Sequence, residues 1–259
     1  MIGSSTTLTR DILIRIAASV GERQGWDFSR IQASRDPVPW HYGEIVRRYL
    51  KPADMVLDTG TGGGEKFLSL APFYGRGVGI DVDRQMIEVA QNRLTPALME
   101  RVSFEVMSVD DLRFPDESFD AVLSRHSPVN PEQIVRVLRP GGVFITQQIG
   151  PRNAQNVIRV FGCTAGGQYR ARPDQDADSL AAAFANFGCA IVTRAEYDVP
   201  YFYHDIESFV FWLKAVPIPE DFDMQRHWPH VMQILAESTT LRGIKTNEHR
   251  VLLIVRKPG

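Results

Sequence analysis

The feature that most constrains the fold is a glycine-rich loop directly after a short apolar segment. Residues 55–58 read Met-Val-Leu-Asp, and residues 59–65 read Thr-Gly-Thr-Gly-Gly-Gly-Glu. A buried strand that ends in such a loop lets the backbone approach a ligand at the carboxyl edge of a sheet. A dinucleotide fingerprint would need its third glycine at position 65, where this chain has Glu65. Because that side chain would face a pyrophosphate, the spacing disfavours NAD.

Strand-like and helix-like segments alternate from about residue 40 to residue 150. Segments of strand length lie at 55–58, 77–81, 102–106, 119–124 and 143–148, followed later by 190–197 and 250–255. Strands separated by helices predict a parallel sheet with right-handed crossovers. We therefore expect an α/β, Rossmann-like fold with helices on both faces of a seven-stranded, mostly parallel sheet. The last strand should be antiparallel and lie beside the fifth.

Asp81 is a second candidate site residue, because it ends the second strand 21 residues after Gly60. The two oxygens of a carboxylate in that place match the two hydroxyl donors of an adenosine ribose. The alternative is an ordinary turn or helix cap, but the coincidence with the glycine loop favours a binding role.

Composition narrows the classes of partner. The net charge of −2 and the absence of a long Lys/Arg run argue against a nucleic-acid partner. Cys163 and Cys189 have no CxxC neighbour, which predicts a reducing compartment and neither a disulfide frame nor a zinc site. No segment approaches the roughly 18 apolar residues of a membrane span. We expect a cytoplasmic protein without a membrane partner, as a monomer or homodimer.

Four segments resemble the class I S-adenosylmethionine-dependent methyltransferases, in that family's order and spacing. They are VLDTGTGGGE, VGIDVDRQMIEVA, DDLRFPDESFDAVLSRH and VLRPGGVFI, and together they cover about residues 50–150. The subgroup that they resemble most is the type 11 group with ubiquinone- and menaquinone-pathway enzymes. The resemblance implies S-adenosyl-L-methionine as the cofactor and methyl transfer as the activity.

The resemblance also implies which residues bind this cofactor. The methionine end would be surrounded by Asp58, Gly60, Gly62 and Gly64, and Arg125 is a further expected cofactor-binding residue. Asp81 would hold the ribose, Val82 and Met86 would flank the adenine, and Ser108, Val109 and Asp110 would reach the adenine edge. Relatives usually place an aspartate where this chain has Ser108, so which residue reads the adenine amino group stays open.

His126 is the candidate catalytic residue, because it follows the fourth strand, where the family's reaction centre lies. A near-neutral pKa suits it to act as a general base. The alternative is a histidine that lines the pocket or bonds a backbone carbonyl. Its surroundings, SRHSPVN, lack the D/N-P-P-Y/F pattern of nucleic-acid amino-methyltransferases.

The acceptor is expected to contact aromatic and histidine side chains outside the cofactor core. These candidates are His41, Tyr42, Tyr201, Tyr203 and Trp212. The alternatives are a packed helix junction for the first two and an apolar core for the other three. His204, His227 and His230 have no metal-ligand spacing, so no metal is expected.

No Pro- or Gly-rich linker divides the chain, so a single methyltransferase domain over 1–259 is expected. It would consist of an N-terminal helical lid (1–45), a cofactor-binding core (46–150) and an acceptor-side insertion with the final strands (151–259). Residues 162–178 predict a mobile loop. The function expected is methyl transfer to an O, N or C atom of a small-molecule acceptor. The alternatives are an RNA or protein methyltransferase and a non-catalytic cofactor-binding protein.

Overall fold

The computed structural model describes residues 8–23, 27–162, 176–216, 218 and 221–259. Its α-helices are α1 (Arg10–Ser19), α2 (Tyr42–Arg47), α3 (Glu65–Ser69), α4 (Arg84–Asn92), α5 (Pro96–Met99), α6 (Pro131–Val137), α7 (Gln155–Val160), α8 (Ala177–Ala185), α9 (Ile206–Ala215) and α10 (Met224–Ser238). Its strands are β1 (Ala33–Arg35), β2 (Met55–Thr59), β3 (Arg76–Asp81), β4 (Val102–Val106), β5 (Phe119–Arg125), β6 (Leu138–Ile149), β7 (Ala190–Tyr203), β8 (Thr239–Thr240) and β9 (Gly243–Arg256).

The chain divides into two compact units. The core unit consists of Val38–Pro151, Pro173–Tyr197 and Arg250–Gly259. The second unit consists of Met1–Pro37, Arg152–Arg172 and Asp198–His249. The first segment of the core unit ends at Pro151, and two later segments, Pro173–Tyr197 and Arg250–Gly259, belong to the same unit. That all 259 residues act as one domain stays a prediction.

In the described part of the core unit, the strands pair in the order β7-β9-β6-β5-β2-β3-β4. β2 is parallel to β3 and β5, β3 is parallel to β4, and β5 is parallel to β6. β9 pairs antiparallel with β6, with Phe144 opposite Val255. The predicted Rossmann-like fold is therefore confirmed, including the antiparallel last strand beside the fifth predicted strand, which is β6. The sheet has nine described strands instead of the predicted seven.

Two apolar clusters pack against this sheet. Adjacent strand residues divide between them: Leu57 and Val122 belong to one cluster, and Val56 and Ala121 belong to the other. Successive side chains of a strand point to opposite faces, so the clusters lie on opposite faces of the sheet. The first cluster includes residues of α6 and α8, and the second includes residues of α2, α3 and α4. Helices thus cover both faces, as predicted.

Local sequence explains where several helices of the core unit begin. Asp83 caps α4 by accepting hydrogen bonds from the backbone of Gln85 and Met86. Asn130 caps α6, and Pro131 follows at a position where a missing N–H is harmless. The Arg-Pro-Gly-Gly sequence at 139–142, although typical of a turn, lies inside β6. Gly141 has a φ of 74° there, and the pairing with β5 shifts register.

The second unit contains α1, α7, α9, α10 and one apolar cluster of its own. Within this unit β1 pairs antiparallel with β7, with Ala33 opposite Tyr203, and β8 pairs with β9. β1 was not predicted, because three residues show no periodicity.

The structure describes only the two ends of the loop predicted at 162–178, namely residue 162 and residues 176–178. Residues 163–175 lie outside the described residues, whereas Asp176 caps α8 and Ala177 already belongs to that helix. Among the described residues, no helix combines the length and the apolar character needed to cross a bilayer.

Candidate active site

The glycine loop after β2 is fixed to β3 by its own backbone. The N–H groups of Gly60 and Thr61 both donate to the Ile80 carbonyl, at 2.8 and 2.9 Å. Gly60, Gly62 and Gly64 have φ values of 71°, 55° and 79°, which side chains other than glycine rarely adopt. The loop is therefore held in a conformation that requires glycine at three positions.

The surroundings of the three glycines differ. A Cβ on Gly60 would lie 2.2 Å from the Ser127 Cβ, and a Cβ on Gly64 would lie 2.8 Å from the Phe104 ring. A Cβ on Gly62 would meet no atom within 4 Å. Gly60 and Gly64 are thus needed for packing inside the protein. Gly62 exposes bare backbone to open space, where a ligand can approach it closely.

Asp81 lies beside this open backbone at the end of β3. Its Oδ2 accepts a hydrogen bond from the Gly62 N–H at 2.9 Å, and its Oδ1 accepts from the Asp83 N–H at 3.0 Å. An ionised carboxylate has about four lone-pair sites, so each oxygen keeps one for a further donor. Both oxygens are thus held in place and can still accept the two hydroxyls of a ribose.

Asp58, the last but one residue of β2, is a buried carboxyl. Burial raises the pKa of Asp58 to about 7, the negative charge of Asp81 adds to the increase, and the positive charge of Arg125 opposes it. A buried carboxylate is costly without a cationic partner. Asp58 can therefore accept a cationic group, such as the ammonium of an amino acid, beside the glycine loop.

The predicted adenine side contains one exposed apolar residue and one oriented carboxylate. Val82 is 70% exposed, which is unusual for valine and suits a flat apolar ligand, and Met86 is half-buried. The Asp110 Oδ1 accepts from the Asn130 side-chain amide at 3.0 Å. The Ser108 Oγ already accepts from the Asp110 N–H at 3.1 Å. Val109 is buried, so only its backbone is available to a ligand.

Tyr42 lies against the ends of β5 and β6, whereas His41 is exposed. The Tyr42 hydroxyl is 3.1 Å from the Ile145 carbonyl and 3.3 Å from the Ser124 carbonyl, to which it donates. Burial and the nearby Asp58 carboxylate raise the pKa of Tyr42. His41 precedes α2 and makes no side-chain capping bond. Tyr42 thus supports the strand ends as a neutral phenol.

His126 follows β5 in a left-handed conformation with a φ of 58°. Its N–H donates to the Gln147 carbonyl at 2.9 Å, and its Nε2 is 3.3 Å from the Gln147 Nε2. The Gln147 Oε1 accepts from the Trp40 indole N–H at 3.0 Å. Burial lowers the pKa of His126 well below its usual range, and the positive charges of Arg125 and Arg250 lower it further. The imidazole is therefore neutral near pH 7.

Gln147 and a buried polar cluster are absent from the residues predicted from sequence. The cluster forms where the Ser127 Oγ donates to the Thr59 carbonyl at 2.8 Å and lies 2.9 Å from the Ser124 Oγ. The Gln148 amide donates to the Ser127 carbonyl at 3.0 Å. The available signal was two consecutive glutamines at the end of the apolar segment 143–146.

The predicted aromatic acceptor residues lie in the second unit. Tyr203 has ring-centroid distances of 5.1 Å to Tyr201, 5.4 Å to Phe209 and 5.5 Å to Trp212. All four rings belong to the apolar cluster of that unit or pack against it. Their packing matches the alternative of an apolar core, and their contact with an acceptor stays a prediction.

Comparison with known proteins finds a family that matches part of the chain. The methyltransferase domain family matches residues 56–142, the part of the core unit that contains the glycine loop, Asp81 and His126.

Residues 56–142 are therefore similar to methyltransferase domains.

Relatives share this domain at moderate identity. An uncharacterized methyltransferase of Bacillus subtilis, YcgJ, is 29% identical over 123 residues, which are 43% of this chain and 49% of that protein. A demethylmenaquinone methyltransferase of Symbiobacterium thermophilum is 30% identical over 118 residues, which are 41% of this chain and 47% of that protein. The chain thus spans about half the length of these curated relatives.

Solved structures share the fold over most of the chain. The crystal structure of Bacillus subtilis YcgJ has a TM-score of 0.59 at 18% identity and covers 85% of this chain and 99% of its own. The [4+2]-cyclase SpnF has a TM-score of 0.53 at 18% identity and covers 83% of this chain and 80% of its own. Since one of these proteins is named as a cyclase, the fold alone does not establish the reaction.

The matched residues 56–142 contain several groups with unused binding capacity. These groups are the bare backbone of Gly62, the spare lone pairs of Asp81, the buried carboxyl of Asp58 and the exposed side chain of Val82. Among the described residues, no group of three His, Cys, Asp or Glu side chains could hold a metal ion.

Proposed function

We propose that this chain transfers a methyl group from S-adenosylmethionine to a small-molecule acceptor, at an oxygen, nitrogen or carbon atom. The observation that carries the proposal is the open backbone of Gly62 beside an Asp81 carboxylate with a spare lone pair on each oxygen. The similarity to a demethylmenaquinone methyltransferase supports a small acceptor.

In this proposal each part of the cofactor has its own residues. Asp81 accepts the two ribose hydroxyls, Gly62 allows close approach of the methionine part, and the Asp58 carboxylate accepts the ammonium. Val82 covers one side of the adenine. Asp110 reads the adenine amino group with the oxygen that Asn130 leaves free, because a carboxylate accepts more strongly than the Ser108 hydroxyl.

S-adenosylmethionine supplies a methyl group that its sulfonium has already activated. The remaining task of the protein is to align the acceptor and exclude water, and orientation can contribute about 7–11 kcal/mol to such a step. An acceptor would be aligned beside β5 and β6, where Tyr42 bonds the Ile145 carbonyl and Gln147 lies against His126. The roles of Tyr201, Tyr203 and Trp212 as acceptor contacts belong to the same proposal.

For His126, the geometry supports a positioning role over general-base catalysis. Protonation of its imidazole is opposed by burial and by Arg125 and Arg250, which makes it a weak base. A general base contributes about 10²–10⁴-fold to turnover. We therefore expect His126→Ala to lower turnover by less than about 10²-fold without changing the affinity for S-adenosylmethionine. A larger loss that is greatest at neutral and higher pH and shrinks toward low pH, where the wild-type imidazole becomes protonated, would instead identify His126 as the base.

The decisive experiment has two steps. Isothermal calorimetry with S-adenosylmethionine measures cofactor binding, with Asp81→Ala as the control for the assigned site. Transfer of an isotope-labelled methyl group is then measured on phenols, amines, activated carbon acids, RNA and peptides. Transfer to a small molecule supports the proposal. Transfer to RNA or peptide alone overturns the acceptor class, and binding without any transfer overturns the activity.

A further inference from the structure

We propose that Gln147, oriented by Trp40, is a positioning residue that fixes His126 as a neutral imidazole with its proton on Nδ1. During methyl transfer, His126 would then donate a hydrogen bond to the acceptor and accept no proton from it. This role rests on the proposed function. The tautomer itself can be tested without turnover.

Trp40 determines which way the Gln147 amide points. An indole N–H can only donate, so the atom of Gln147 that lies 3.0 Å from the Trp40 Nε1 is the amide oxygen. The Trp40 ring is held in turn by an edge contact with Tyr197, at a centroid distance of 4.7 Å. Gln147 is buried, with 6% of its surface exposed. Flipping its amide would place an NH₂ group against the indole N–H.

The amide orientation determines the state of His126. With its oxygen on Trp40, Gln147 presents its NH₂ group to the His126 Nε2, 3.3 Å away. Two N–H groups cannot share a hydrogen bond, so the Nε2 accepts and the proton of the neutral ring lies on Nδ1. The His126 backbone is held as well, because its N–H donates to the Gln147 carbonyl. One residue therefore fixes both the backbone and the tautomer of His126.

The charged neighbours of His126 favour the same state. Arg125 and Arg250 both oppose a second proton on the ring. The Nδ1 makes no hydrogen bond with the residues that the structure describes, so its N–H is available to a ligand or to water. An acceptor at this position would meet a donor. A hydroxyl acceptor must therefore release its proton to another group or to solvent.

Nitrogen NMR of the full chain tests the proposal directly. In protein with ¹⁵N-labelled histidine, long-range proton–nitrogen correlations distinguish the two tautomers, and His126→Gln assigns the signals among the six histidines. We expect His126 to be protonated on Nδ1 and to show no titration between pH 6 and 8. If the wild-type protein shows a proton on Nε2, or a doubly protonated ring near neutral pH, the proposal is overturned without any variant being needed.

Variants of the two glutamines sharpen the test. Gln147→Glu should accept from both the Trp40 N–H and an Nε2–H, moving the His126 proton to Nε2 and raising its titration midpoint. Gln147→Met should allow both tautomers to appear. Gln148→Met is the matched control, because that amide bonds the Ser127 carbonyl and not His126, and it should leave the His126 signals unchanged. Unchanged signals in folded Gln147→Met protein overturn the role of Gln147.

Kinetics separate this inference from the proposed function. Once an acceptor is found, Gln147→Met should lower kcat up to about tenfold and leave the affinity for S-adenosylmethionine within about twofold. Gln147→Glu should add a pH-dependent limb to kcat/KM that the wild type lacks. If calorimetry shows no cofactor binding in the wild type, the proposed function fails while the tautomer assignment remains measurable.

Discussion

The residues predicted to bind ligands have different surroundings in the core unit and in the second unit. In the core unit, Asp81 is held by two backbone N–H groups and keeps a spare lone pair on each oxygen, and Gly62 faces open space. In the second unit, Tyr203 contacts three other aromatic rings and is 3% exposed. The polar groups of the core unit can still form hydrogen bonds, whereas the aromatic rings of the second unit pack against one another.

The difference shows which property distinguishes a site from a core. An aromatic cluster in a sequence is compatible with a ligand cage and with simple packing, because rings pack against rings as well as against ligands. A carboxylate or a backbone group whose hydrogen-bonding capacity is not used inside the protein needs a ligand or water to use it. The comparison therefore predicts that substitutions in the second unit change stability and that substitutions around Asp81 change cofactor affinity.

The largest effect is expected for Trp212→Ala. The indole packs against Tyr203 and Phe209, so its removal should lower the free energy of unfolding by about 3 kcal/mol, at the low end for such changes because Trp212 is partly exposed. Denaturant melts measure this loss. Phe187→Ala, which removes a ring that is 45% exposed in the core unit, should cost less than about 0.5 kcal/mol.

If Trp212→Ala protein is stable and its KM for an acceptor is increased, the conclusion that Trp212 serves only packing is contradicted. The aromatic rings of the second unit would then be acceptor contacts, as one of the two interpretations of the sequence holds.

Asp81→Ala should act on affinity. Loss of charged hydrogen bonds to the ribose should weaken binding of S-adenosylmethionine by about 1.5–3 kcal/mol, or roughly 10–150-fold in calorimetry. Asp83→Ala is the control, since that carboxylate caps α4 and should cost about 1 kcal/mol of stability while leaving the affinity nearly unchanged. Equal affinities in the two folded variants would remove Asp81 from the site.

Gly62→Ala tests the open backbone. The new methyl group meets no protein atom, so we expect a folded protein in which cofactor affinity falls about tenfold because backbone approach is blocked. Gly141→Ala is matched to it, with a φ of 74° and an equally open surrounding. Both changes should cost about 1–2 kcal/mol of stability, from the left-handed backbone alone. Only the first should affect affinity, and an equal loss in both would show that strain is the cause.

Asp58→Asn should show the smallest effect and the clearest pH dependence. The folded protein favours protonated Asp58, since its pKa is raised to about 7 from an ordinary value near 3.8. Its contribution to stability is therefore lost as the pH rises toward and through 7. The Asn variant should be more stable than the wild type by about 0.5–2 kcal/mol at pH 8, with the difference shrinking toward pH 5.

Cofactor binding should respond to Asp58 in the opposite direction. An ammonium requires the carboxylate form, so the affinity of the wild type for S-adenosylmethionine should rise through pH 7, whereas that of Asp58→Asn should be lower and flat. Parallel pH dependences of the two proteins in calorimetry would contradict the assignment of Asp58 to the ammonium.

The sequence by itself determined most strands of the sheet and the position of the glycine loop. Strand length, helical spacing and the glycine loop are local properties, so β2, β3, β5 and β6 could be predicted, as could the coincidence of Gly62 with Asp81 at one sheet edge. β1 could not be predicted, because its three residues are stabilised by pairing with β7 and not by their own pattern.

Only the tertiary structure decided how individual side chains are occupied. The distinct surroundings of Gly60, Gly62 and Gly64, the packing of Tyr203, and the bond from Trp40 to Gln147 and on to His126 join residues distant in the chain. Hydrogen-bond capacity and burial depend on which neighbours folding supplies. The sequence therefore determined where the cofactor loop lies, and the packing of distant residues decided which of its neighbours remain available for chemistry.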